Sequence, residues 1–104
     1  MSKRSNACEF SRKVRERIWE RDDYKCIFCA KFGYSGFLPS QIMHYVSRAH
    51  GGLGIEENGA FGCVLHHQIL DNGDGKLLKE YFREYLMSKY PGWNEEDLIY
   101  KKGG

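Results

Sequence analysis

Cys63-Val-Leu-His-His-Gln-Ile-Leu-Asp71 sets two histidines side by side, three and four residues after a cysteine. Neighbouring side chains on a helix point about 100° apart, so the two rings cannot easily serve one centre. His66 stands at chelating distance from Cys63, with two residues between them, and His67 is left to face elsewhere. A second pair, Cys26-x-x-Cys29, completes a tetrahedral set of three thiolates and one imidazole. Cys26, Cys29, Cys63 and His66 are therefore expected to hold a structural Zn²⁺ whose binding energy is part of the folding energy. Residues 30–62 between the pairs are too many for a compact zinc ribbon and leave room for a hairpin.

Working outward, residues 41–46 alternate and are rich in β-formers, which reads as a strand. The glycine-rich stretch 47–59 reads as a loop, and residues 60–64 as the returning strand. From about Leu65 the chain turns helical to Asp71, and Asn72-Gly-Asp-Gly breaks it, with Gly73 as the residue after the helix end. A strong helix then runs from Asp74 or Gly75 to about Lys89, with Leu77, Leu78, Tyr81, Phe82, Tyr85 and Leu86 as its apolar stripe. Pro91 stops it, and Asn94-Glu-Glu-Asp97 starts a last short helix. On the other side, Ser11 is an N-cap for a helix to Arg21 that turns Val14 and Ile18 inward. Cys26–Cys29 reads as a knuckle-like turn, followed by a Gly/Ser loop through Pro39. The fold class is α+β: a flexible tail over 1–10, then one domain over 11–104 with its core motif at about 24–73 and C-terminal helices at about 75–101.

A chain of 104 residues with 41% apolar and 14% aromatic side chains forms one globule with a modest core. Twelve glycines imply much loop, so a bound metal would supply needed stability. The net charge of +2 is too mild to indicate nucleic acid by itself. Distribution says more: Lys3, Arg4, Arg12, Lys13, Arg15, Arg17, Arg21 and Lys25 crowd the first quarter. That segment is either a solvated helix face with i,i+4 pairs or a phosphate-facing surface. No apolar run approaches a membrane span and no signal-peptide stretch leads the chain, so a soluble, cytoplasmic protein without membrane contact is expected. There, a Cys-x-x-Cys pair more often means metal than disulfide. Cys8 has no partner at chelate spacing.

His44 ends the first strand, Asn58 ends the glycine-rich loop, and His67 follows the second chelating pair. With Cys26-Ile-Phe-Cys29, Met43-His44 through Asn58, and Cys63-Val-Leu-His66-His67, residues 12 to 73 resemble the HNH nuclease family. The likeness is greatest to its short free-standing members of phages and mobile elements. The resemblance implies a ββα-metal fold with a zinc knuckle, an endonuclease that hydrolyses DNA phosphodiester bonds. His44 would be the general base and His67 would hold a catalytic divalent ion, Mg²⁺, Mn²⁺ or another. Asn58 would brace the loop and the orientation of His44. Phage packaging proteins, or other nucleic-acid-processing proteins, are partners of some relatives.

Met43 departs from the family pattern, in which many members carry a metal-binding Asp or His before the first catalytic His. A thioether is a poor ligand for a hard ion. Asp71, four residues after His67, is the substitute the helix period offers, unless it is an ordinary helix-end acid. Arg48 and His50 are either phosphate contacts or plain loop residues, and Arg17 and Arg21 are further candidates for nucleic-acid contact. The rival to the nuclease reading is a weakly active or inactive zinc module that binds nucleic acid or protein.

Overall fold

The computed structural model describes residues 3–33, 39–72 and 75–101, and shows a small α+β protein built on one two-stranded antiparallel sheet. In chain order the elements are α1 (Lys3–Ala7), α2 (Arg12–Arg21), α3 (Ile27–Phe32), β1 (Pro39–His44), β2 (Gly59–Cys63), α4 (Val64–Asp71) and α5 (Lys76–Lys89). Short 3₁₀ turns at Arg48–His50, Glu56–Asn58 and Glu95–Leu98 punctuate the rest. The loop through residue 38 and the expected helix-ending Gly73 lie outside the described residues. No helix among the described residues is long and apolar enough to cross a membrane.

Both strands sit one residue or two earlier than their sequence signals, with His44 opposite Gly59, Met43 opposite Ala60 and Ile42 opposite Phe61. At Gly62 a Cβ would run into the Met43 side chain, so this glycine lets β2 close over a buried methionine. Met43 is 1% exposed and belongs to the core with Phe28, Tyr45, Cys63, Phe82 and Leu98. Around it the rings of Phe28 and Tyr45 meet the ring of Phe82 edge-on, with centroids 6.1 and 5.3 Å away.

Ser11 caps α2 through its side chain, which accepts from the Val14 amide, as the sequence predicts. On α5 the stripe is narrower than expected: Leu78, Phe82 and Leu86 are buried at i,i+4 spacing, while Leu77 is 75% exposed. Leu77 lies a further 100° or so around the helix from Leu78, beyond the side packed on α3 and α4. The knuckle at Cys26–Cys29 is also not a free turn, because Cys26 is the N-cap of α3.

The expected tail is a correction of larger consequence. Residues 3–7 are helical, and Cys8 and Phe10 are buried. The glycine-rich loop anchors them: the Gly54 amide donates to the Ala7 carbonyl at 2.9 Å, and Arg4 Nη2 donates to the carbonyls of Arg48 and Ala49. A Cβ at Gly54 would clash with the backbone of Glu9, so the close approach requires glycine. From the other side, the loop amide of Leu53 donates to Leu98, and Tyr100 donates back to Gly51, both at 2.7 Å.

Arg21 and Asp22 join α2 to the sheet and to α5. Asp22 is buried and accepts from Arg21, from the Phe61 amide at 2.7 Å and from the Tyr85 hydroxyl at 2.5 Å. Arg21 also donates to the carbonyls of Glu56 and Gly59 and to the Tyr90 hydroxyl. Burial disfavours its charge, but the hydrogen bond and charge of Asp22 outweigh that, with Tyr90 adding, and raise the guanidinium pKa. Arg21→Met strips a buried carboxylate of its cation and should lower unfolding stability by about 3–5 kcal/mol. Urea unfolding of the zinc-loaded protein measures it.

Candidate functional site

Two centres flank α4. In the first, α3 and α4 use the same local device: a cysteine at the N-cap and a second ligand one turn later, Cys29 after Cys26 and His66 after Cys63. An N-cap side chain folds back over the first turn and meets the residue three positions on, which is why two intervening residues make a chelate. The His66 amide donates to Cys63 Sγ at 3.5 Å, and helix N-termini favour the negative charge of a thiolate.

The four donor atoms lie within 4.8 Å of one another. Cys29 Sγ is 3.7 Å from Cys63 Sγ, and His66 Nδ1 is 3.6, 3.5 and 3.2 Å from the sulfurs of Cys26, Cys29 and Cys63. A tetrahedral zinc with ordinary bond lengths has edges of roughly 3.8 Å between sulfurs and roughly 3.6 Å from sulfur to nitrogen. The donor set therefore fits zinc in kind and in spacing. All the cysteines are free, so no disulfide competes. Burial, then the neighbouring Cys26 and Cys63, push the Cys29 thiol up to about 12. A cation is what turns such a cluster into thiolates.

The second centre is an open cleft of about 570 Å³. His44, at the end of β1, and His67 and Asp71, from α4, line it together with Gln41, Glu9, Phe10, Arg15 and Arg48. His44 Nε2 lies 2.7 Å from the Cys8 carbonyl, so that nitrogen carries the hydrogen and Nδ1 keeps the lone pair. Phe10 braces the ring, with centroids 4.3 Å apart. Burial lowers the His44 pKa below its ordinary value; Arg48 and His67 lower it too, against the opposing pull of the Cys8 carbonyl.

His67 is held at Nδ1 by the Gln41 side-chain amide and turns Nε2 toward Asp71 Oδ2, 3.2 Å away. The helix period thus brings His67 and Asp71 together. Two oxygen or nitrogen ligands at adjacent corners of an octahedron around Mg²⁺ stand about 3.0 Å apart. As placed, Gln41 Nε2 faces His67 Nδ1, which puts the ring hydrogen on Nε2 toward Asp71. Turning the Gln41 amide to offer its oxygen would move that hydrogen to Nδ1 and free Nε2 for a cation beside Asp71.

Other expected site residues fall elsewhere. Asn58 is fully buried outside the cleft walls: Oδ1 accepts from the Val46 amide, and Nδ2 donates to the carbonyls of Val46 and Leu53. Its own carbonyl accepts from Tyr45, the residue after His44, so it braces the loop and the strand end. His50 is tied to Ser47 and does not line the cleft. Met43 is buried in the core and does not line the cleft.

Arg17, largely exposed, pairs with Glu56, and Arg21 is held in the buried network; neither lines this cleft. Arg15 is the α2 cation that faces it. Its signal was readable: Arg12 has Glu16 four residues on and pairs with it, whereas Arg15 has Ser11 and Trp19 at those positions. The roles of Glu9 and the Cys8 carbonyl had no such signal, because they depend on where the N-terminal segment docks. Compared with known proteins, the chain matches no family model, no curated protein and no solved structure.

Proposed function

We propose that the protein is a metal-dependent endonuclease of the HNH type, with a ββα-metal fold, acting on DNA. The observation that carries this reading is the meeting, in one cleft, of His44 with its Nδ1 lone pair and the His67–Asp71 pair at ligand spacing. Zinc on Cys26, Cys29, Cys63 and His66 is structural in this reading, since four protein ligands leave no open position.

His44 Nδ1 takes a proton from water, the oxygen attacks phosphorus in line with the P–O3′ bond, and as that bond breaks the 3′ oxygen leaves and takes a proton from solvent. Phe10 and the Cys8 carbonyl keep the ring from turning during that transfer. His67 and Asp71 would hold a divalent ion, which when bound would supply charge stabilisation at the leaving oxygen. Arg48 and Arg15 face the non-bridging oxygens from the cleft walls.

Purified protein should convert supercoiled plasmid to nicked or linear forms in Mg²⁺ or Mn²⁺ and stop in chelator. Asp71→Asn keeps the side-chain size but removes the charge a hard cation favours, so half-maximal cleavage should need at least about tenfold more metal. Its zinc content should not change. No cleavage in any divalent ion would favour the non-catalytic zinc module, and an unchanged metal titration would reduce Asp71 to a helix-end acid.

A further inference from the structure

The cleft does not end at His44. A second groove of about 360 Å³, lined by Tyr45, Leu70, Gly75, Lys76 and Lys79, shares His44, Ser47 and Asp71 with the first. Lys79 is fixed in its wall: Nζ donates to the Tyr45 carbonyl and sits 4.1 Å over the Tyr45 ring. Lys76 is exposed at the start of α5, and among the described residues it has no carboxylate partner. The first groove holds its cations at Arg15 and Arg48. Cationic side chains thus line both grooves, His44 and Asp71 line both, and His67 lines the first.

A small diester would fill one groove. A polynucleotide carries a phosphate at every nucleotide and can place charge in both. We infer that the second groove is a subsite for a phosphate neighbouring the scissile one, gripped by Lys76, and that the protein takes an internal stretch of a DNA strand. This inference rests on the nuclease reading and extends it to substrate length.

The test is binding over a salt series, with Ca²⁺ present, of labelled dodecathymidylate and, by competition, of the dinucleotide thymidylyl-thymidine. Lys76→Gln should weaken dodecamer binding about tenfold and flatten its salt slope by about 0.7, the value of one single-strand phosphate contact. Dinucleotide affinity should fall much less. Lys31→Gln removes the same charge from α3, over the Tyr81 ring, and serves as the control. Lys76→Glu should enlarge the difference, and its melting temperature reports whether the fold is intact. Equal weakening of both ligands, or identical behaviour of Lys76→Gln and Lys31→Gln, would overturn the subsite. If Lys76→Gln weakens dodecamer binding selectively while the wild-type protein cleaves nothing, the subsite is supported and the hydrolytic reading alone is removed.

Discussion

Cys26→Ser should give a protein with neither bound zinc nor a cooperative melting transition. A structural zinc contributes about 10–16 kcal/mol in small metal-folded domains, against a total stability of about 5–15 kcal/mol for a typical domain. Here the metal would join α3 to the strand–helix corner at Cys63, and each helix brings two of the four ligands. The same helix carries part of the core: Ile27 and Phe28 are its buried residues, and Phe28 packs on His66, Tyr81 and Phe82. Losing Cys26 therefore loosens the aromatic core and the α4 segment that carries His67 and Asp71. Metal analysis and thermal denaturation followed by circular dichroism check both effects, and chelator should reproduce them in the wild type. A Cys26→Ser protein with its zinc and melting temperature intact would dismantle the quartet.

Much of this was readable in the residue order because the chemistry is local. Cys-x-x-Cys and Cys-x-x-His encode chelation within one turn, and His67 with Asp71 follows from the helix period alone. Long-range choices were not readable. Nothing near Met43 says which face of β1 meets the core; Gly62, on the opposite strand, decides it by leaving room for the thioether. An aspartate at 43 would be buried among Phe28, Tyr45 and Phe82 rather than offered to the cleft. Arg17 and Arg21 look alike in a basic helix, and their partners Glu56 and Asp22 separate them. Residues 3–10 were obscure for the same reason, since they have no apolar period and are held by the loop around Gly54.

His44→Ala should lower cleavage by about 10²–10⁴-fold while zinc content stays at the wild-type level. The Cys8 carbonyl loses its partner, which costs about 1 kcal/mol and leaves the fold standing. The pH profile carries the more specific expectation. A general base must be neutral, and burial first, then Arg48 and His67, hold the His44 pKa below the ordinary 6.5. A divalent ion on His67 pushes the same way, so the acid limb of the rate should have its midpoint below 6.5. Arg48→Gln removes one of the lowering charges and should move that limb upward. Stability follows the same linkage: the unfolded ring takes its proton at a higher pH than the folded one. Folding free energy is therefore lost as pH falls from about 6.5 toward the folded value, then levels off below it. His44→Ala should abolish that component of the acid loss. An acid limb above 6.5 that ignores Arg48→Gln would mean that another group takes the proton, and His44 would be left as a ring pinned between Phe10 and the Cys8 carbonyl.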